Sequence, residues 1–230
     1  MKKIGIIGAM TIEVETLCAK LENMRRTDRA GMRFCEGKLH GAAVVICQSG
    51  IGKVNAALCV QIMADLFGVT HVINTGIAGS LDPELDIGEI AISTDLIYHD
   101  FDAGAFGYPR GQVPGMDTHS FPADAAMGDL AQEVCTAQGL KCKKGRIVSG
   151  DQFVADPEKK VDITTHVGGL CTEMEGAAIA HAAYRNGIPV LVLRAISDKA
   201  DDSADMDYPT FERMAAEHSA QLVEALVQKI

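Results

Sequence analysis

Short apolar, β-branched runs recur along the chain, and each is closed by glycine or polar residues. Residues 3–7 end at Gly8, residues 72–74 end at Thr75-Gly76, and residues 189–196 run into Ser197-Asp198. Such runs, without polar alternation, fit strands buried on both faces, as in parallel sheets covered by helices. Segments with helical spacing lie between them. Residues 12–21 put Val14, Leu17, Cys18 and Leu21 on one face, and residues 54–67 read as an apolar helix. Residues 211–227 carry Met214, Leu222 and Leu226 along one stripe. Residues 33–36, 42–48, 89–93, 96–98 and 145–148 read as further strands, and 124–138 and 175–186 as further helices. Strand and helix alternate, so the expected class is α/β with a mostly parallel or mixed central sheet. A length of 230 residues fits one domain or one large α/β unit.

Composition narrows what such a fold can do. Hydrophobic residues at 47% and charged residues at 23% are ordinary for a globular chain and exclude disorder. Lys and Arg total 21 against 31 Asp and Glu, a net charge of −10. That balance repels phosphate backbones, so no nucleic-acid partner is expected. Aromatic residues are 5%, with no Trp, too few for a base-stacking surface. The seven cysteines are odd in number, and none forms a C-x-x-C pair. This argues against a disulfide framework, a zinc knuckle or a redox pair and fits a cytoplasmic location. The initial apolar run stops at Met10, too short for a signal-peptide core, and no stretch approaches 18 apolar residues. No membrane partner is expected.

Cofactor and metal motifs are missing. Gly5-Ile6-Ile7-Gly8 is not G-x-G-x-x-G, P-loop spacing is absent, and no G-x-S-x-G elbow occurs. The seven histidines show no i, i+4 pair. His99-Asp100 sets a histidine beside a carboxylate, and an ordinary polar loop residue is the expected reading there. Neither a cofactor nor a metal is expected. The longest irregular stretch, residues 100–121, holds Gly104, Gly107, Pro109, Gly111, Pro114 and Gly115. Loops of that length in compact domains are usually functional or contact surfaces.

Carboxylates at strand ends remain. Open α/β sheets bind ligands beyond the carboxyl ends of their strands. Asp198 follows the most continuously apolar strand, and Glu13 follows the first strand closely. Glu173 and Glu175 share a face if their segment is extended. Each has an ordinary reading: a cap, a first-turn glutamate, or charges favoured near a helix N-terminus. Together they point to acid/base chemistry on a small neutral or cationic ligand.

These residues belong to a set of motifs that recurs in order. It comprises Gly8-Ala9-Met10 with Glu13, Ser49-Gly50-Ile51-Gly52-Lys53-Val54, Asn74-Thr75-Gly76-Ile77-Ala78-Gly79, Val148-Ser149-Gly150-Asp151-Gln152-Phe153, Glu173-Met174-Glu175 and Arg194-Ala195-Ile196-Ser197-Asp198. The chain thereby resembles, over essentially its whole length, the 5′-methylthioadenosine/S-adenosylhomocysteine nucleosidases of the purine nucleoside phosphorylase superfamily. The resemblance implies one nucleoside phosphorylase-like domain over residues 1–230, a three-layer α/β sandwich around a twisted mixed sheet, working as a homodimer. It implies hydrolysis of the adenine–ribose bond of methylthioadenosine, adenosylhomocysteine and 5′-deoxyadenosine, in methionine salvage and adenosylhomocysteine recycling.

Carried over by motif, Asp198 matches the general acid that protonates the imidazole-ring nitrogen of the purine, and Ser197 the residue that orients it. Glu13 matches the base that activates water. Glu175 and the Met174 backbone match ribose contacts, Phe153 the ring stacked on adenine, and the Val154 backbone a contact to the base edge. Ala78 and Gly79 match backbone lining the nucleophile side. Ile51, Phe106, Pro114 and Tyr208 match the pocket for the 5′-alkylthio group, with Phe106 and Pro114 reaching across the dimer. Adenine leaves poorly unless protonated, and an oxocarbenium-like sugar is stabilised by nearby carboxylates, so these residue types suit the reaction. An apolar tail pocket suits a thioether and disfavours the sulfonium of S-adenosylmethionine. Ile77 and Ala103 depart from the pattern, at the water site and the tail pocket respectively. Arg194 is expected to pair with Glu173 rather than bind substrate. A phosphorylase, a nucleosidase for 6-amino-6-deoxyfutalosine and a non-catalytic nucleoside sensor are the competing readings.

Overall fold

A computed structural model of the chain describes residues 2–201 and 203–230, apart from the side chains of residues 205 and 206. Ten strands form one mixed sheet. They are β1 (Ile4–Gly8), β2 (Glu22–Arg29), β3 (Met32–Leu39), β4 (Ala42–Gln48), β5 (His71–Ser80), β6 (Ile90–Tyr98), β7 (Phe121–Pro122), β8 (Cys142–Ser149), β9 (Cys171–Glu173) and β10 (Val190–Asp198). The helices are α1 (Thr11–Ala19), α2 (Lys53–Ile62), α3 (Ala125–Gln138), α4 (Pro157–His166), α5 (Gly176–Arg185) and α6 (Ala204–Val227). The spatial order is β10-β6-β8-β9-β5-β1-β4-β3-β2, with β7 on β6. Because β5 also pairs with β10, strands β5, β10, β6, β8 and β9 close a ring. The expected α/β class with a mixed sheet is what forms.

The apolar runs owe their character to burial on both faces. Ile4 and Ile6 of β1 face a core with Val14 and Leu17 of α1 and Leu222 and Leu226 of α6. Ile7 faces the opposite core, with Ala56, Val60 and Met63. Gly5 allows this packing, since a Cβ there would come 2.7 Å from the Met63 sulfur. β10 divides likewise, Leu191 and Leu193 to one core and Val190 and Val192 to the other. Helices α1, α3 and α6 cover one face, and α2 and α5 the other.

Several elements differ from the sequence expectation, the short β7 among them. The expected strands 89–93 and 96–98 are one strand, β6, with a register shift between Ser93 and Leu96. α6 begins at Ala204 rather than at residue 211. Strand β2 and helix α4 were not expected. β2 is almost wholly exposed, so no apolar alternation announces it, and only pairing with β3 makes it a strand. α4 buries only Ile163, although Asp156 caps it and Pro157 opens it, a start signal that can be read without any apolar face.

Candidate active site

A cavity of about 480 Å³ opens at the carboxyl ends of β1, β5 and β10, beside β9. Glu13, Ile51, Ala78, Gly79, Phe153, Val154, Met174, Glu175, Ser197, Asp198 and Tyr208 all line it. Phe106 and Pro114 do not, and both are exposed, Phe106 by 82%. Ala103, expected to widen the tail pocket, lies outside the lining, whereas Ile77 lies within it. Ala9, Met10, Gln152, Thr172 and Pro209 complete the wall without having been singled out as site residues. Gln152 and Met10 belong to recurring motifs; Thr172 and Pro209 carry no such signal.

Asp198 ends β10 and is 2% exposed. Its Oδ2 accepts from Ser197 Oγ at 2.8 Å, and its Oδ1 from the Ala200 amide at 2.8 Å. Burial pushes its carboxyl above the ordinary range, against the pull of those two donors, and the charges of Asp207 and Asp201 push the same way. Such a group keeps its proton closer to neutrality, as a general acid requires.

Glu13 is 3% exposed on the first turn of α1. Its Oε2 accepts from the amides of Ala9 at 2.6 Å and Met10 at 2.9 Å, and its Oε1 from the Ile77 amide at 3.3 Å. Burial raises this carboxyl too, with Arg194 and the three amides pulling it back. Burial therefore opposes the preference for the anion that the helix start gives Glu13.

Glu173 and Glu175 do not share a strand face. β9 stops at Glu173, and Glu175 is the N-cap residue of α5. They converge on Arg194, which is 2% exposed. Its Nη2 bonds Glu173 Oε2 and donates to Asn74 Oδ1 at 2.6 Å, while Glu175 Oε2 lies 3.8 Å away. Ser149 Oγ bonds the other Glu173 oxygen. The expected Arg194–Glu173 pair is therefore the buried ion pair beneath the site. Asn74 and Ser149, which hold it, sat unremarked in the motifs. Glu175 Oε1 accepts from the Gly52 amide at 2.8 Å. Burial and the Glu173 charge push Glu175 up to about 7.

Strand β5 sets the spacing between the two catalytic candidates. Arg194 pairs with Gly76 and Asp198 with Gly79 in the β5–β10 register. A Cβ on Gly76 would lie 2.5 Å from Glu13 Oε1, and one on Gly79 would lie 2.6 Å from Asp198 Oδ1. Three residues of extended chain, about 10 Å, separate those two points.

Residues 3–228 match the family model of the phosphorylase superfamily. The chain is 43% identical, over 100% of both sequences, to the 5′-methylthioadenosine/S-adenosylhomocysteine nucleosidase of Halalkalibacterium halodurans. The chain belongs to that nucleosidase family. The Neisseria meningitidis nucleosidase in complex with methylthio-immucillin-A superposes with a TM-score of 0.96 at 38% identity, covering 100% of both chains. The futalosine hydrolase of Helicobacter pylori superposes at 0.95 with 34% identity, covering 100% of this chain and 98% of the other. The cavity wall carries four carboxylates, Glu13, Glu173, Glu175 and Asp198, beside Gln152, Thr172, Ser197 and Tyr208. Among the described residues no cluster of histidine, cysteine or carboxylate side chains could hold a metal, and no helix is long and apolar enough to cross a membrane.

Proposed function

We propose that this chain hydrolyses the N-glycosidic bond of 5′-methylthioadenosine and S-adenosylhomocysteine, and of 5′-deoxyadenosine. Adenine and the 5-substituted ribose are the products. The reading places the chain in methionine salvage and adenosylhomocysteine recycling. The observation that carries it is the pair of buried carboxylates, Glu13 and Asp198, set apart by Gly76 and Gly79 along one strand. In this reading Asp198 gives its proton to the imidazole-ring nitrogen of adenine, and the bond between purine nitrogen and anomeric carbon breaks. The bonding electrons leave with the base. Water attacks the anomeric carbon and its proton passes to Glu13. Arrangement of an acid and a base on opposite sides of the sugar, with room for water, parallels inverting glycosidases. Glu175 and the Met174 backbone hold the ribose, Phe153 stacks on adenine, and the Val154 backbone reads the base edge.

Phosphate is a poor nucleophile for this site. Arg194, the cation beside it, is bonded to Glu173 and lies near Glu175, and Glu13 adds a third negative group. An anion meets repulsion there and water does not. The intact set of carboxylates, with an acid held above its ordinary range, exceeds what a nucleoside sensor needs. A substrate panel with and without phosphate, scored for adenine and for free sugar against sugar 1-phosphate, tests the reading. Release of sugar 1-phosphate overturns it. Including 6-amino-6-deoxyfutalosine in the panel addresses the likeness to a futalosine hydrolase.

The dimer belongs to the same reading. Ile51, Val54 and Leu58 leave an apolar stripe on and before α2, exposed by 53%, 72% and 45%. Phe106 stands out from the loop after β6, 82% exposed. We read this face as the contact with a second copy, whose Phe106 and Pro114 complete the alkylthio pocket beside Ile51 and Tyr208. Residues 1–230 are read as one domain acting in the cytoplasm without a cofactor.

A further inference from the structure

We infer that Asp100 and Lys53 are positioning residues that tie the purine-stacking loop to the turn holding the ribose carboxylate. Neither lines the cavity. Asp100 follows β6, and its Oδ2 accepts from Lys53 Nζ at 2.6 Å and from the Asp151 amide at 2.9 Å. Asp151 returns the connection, its Oδ1 accepting from the Lys53 amide at 2.9 Å. Two segments 98 residues apart are thereby joined twice, through one carboxylate each. One segment leads directly to Gln152, Phe153 and Val154 in the cavity wall. The other carries Gly52, whose amide donates to Glu175 Oε1.

Neighbouring groups leave this cluster little freedom. The side chains of Lys53 and Asp100 are 24% and 16% exposed, so their bond is poorly screened compared with a surface pair. Lys53 Nζ also lies 5.4 Å from the centroid of the Tyr98 ring. His99 is fully buried rather than the polar loop residue its sequence context implies. Its ring fills the space a Gly150 side chain would occupy, with Cε1 2.3 Å from that Cβ position. Gly52 is equally constrained: its φ is +97°, and a Cβ would lie 3.1 Å from Asp151 Oδ1. The loop and the turn can therefore hold this arrangement only with glycine at both places. Burial raises the Asp100 carboxyl, but the Lys53 ammonium and the Asp151 amide outweigh it and hold it below the ordinary range, so the charge persists at neutral pH.

The consequence for the reaction is specific. Releasing the loop removes stacking that substrate and transition state share, which raises KM more than it lowers kcat. Releasing the turn withdraws the Gly52 amide from Glu175. That carboxyl then faces Glu173, Glu13 and Arg194 without its backbone donor, and its titration moves to higher pH.

The inference rests on the site reading above, and the test separates the two. Lys53→Met and Asp100→Asn are measured for KM, kcat and the pH profile of kcat/KM, beside Phe153→Ala and Glu175→Gln. Asp100→Asn removes the charge on which both the Lys53 ammonium and the Asp151 amide converge, so both bonds weaken in that variant. The expected result is a KM raised about tenfold in both, the scale of a lost charged hydrogen bond. The acid limb is expected to move up in pH, and the double variant to lose no more than the worse single. KM within twofold of wild type with an unmoved acid limb overturns the inference, provided Phe153→Ala and Glu175→Gln are impaired. Loss of kcat alone, or of folded protein in both variants, assigns the cluster a structural role and also overturns it. Full activity of Phe153→Ala and Glu175→Gln overturns the site reading, and the inference with it.

Discussion

Gly79 lies so close to Asp198 that a Cβ on the glycine would stand 2.6 Å from Asp198 Oδ1 and 2.9 Å from the Ala200 Cβ. The carboxylate is thereby pinned between β5 and the turn after β10, where the Ala200 amide reaches it. Gly79→Ala is expected to push Asp198 off its donors and lower kcat about 10²-fold, the cost of a misplacement near 1 Å. Steady-state kinetics with a melting curve check this. A variant as active as wild type would show that Asp198 needs no such placement.

Asp198→Asn is expected to lower turnover about 10²–10⁴-fold, the usual worth of a general acid. Ser197 and Ala200 can still hold the amide, so an adenine-containing inhibitor is expected to bind measurably. Calorimetry and single-turnover adenine release test both halves. Activity above a third of wild type removes Asp198 from the acid role.

Glu13→Gln is expected to cost at least about 10²-fold in rate through loss of the base. Three backbone amides now donate to the Glu13 carboxylate. In the variant some of them face an amide nitrogen, so stability is expected to fall as well. Comparing Tm with kcat separates the two effects. Hydrolysis at near wild-type rate would mean that water is activated by another group.

Glu175 sets a pH signature. Its carboxyl is pushed up from 4.5 to about 7 by burial and by Glu173. In the ligand-free protein the folded state therefore holds a proton that the unfolded chain gives up between those values. Its contribution to stability is full below about 4.5 and is lost as the pH rises through about 7. The difference in Tm between wild type and Glu175→Gln is expected to shift against wild type over this range. A constant difference would place the titration elsewhere. If Glu175 binds the ribose as a carboxylate, as proposed, activity runs the other way, and the acid limb of kcat/KM is expected near 7.

A dimer is expected in solution, and Phe106→Asp is expected to weaken it and raise KM for alkylthio substrates while sparing adenine binding. An apolar ring 82% exposed in a lone chain is costly to leave in water. Light scattering and kinetics on the same samples test this. A fully active monomer rules out a site shared between copies.

The alternating strands and helices were legible in the chain because burial on both faces leaves continuous apolar runs, and helical spacing marks one-sided burial. Residues 3–7, 72–74 and 189–196 accordingly mark β1, β5 and β10, the three strands whose ends carry the site. The motifs were legible too, and they name nearly every residue of the cavity wall. Tertiary structure alone decided the rest. β2 is a strand only through its neighbour β3, since both its faces meet water. The ring from β5 through β10 depends on hydrogen bonds between strands more than a hundred residues apart, for which no local pattern exists. At Glu13 the fold acts against the local expectation. A helix start, Arg194 and three backbone amides favour its anion, but the removal of water at a site only 3% exposed outweighs them and raises the carboxyl. Hydropathy and spacing are properties of neighbours in sequence, whereas desolvation and charge depend on which distant segments the fold brings together.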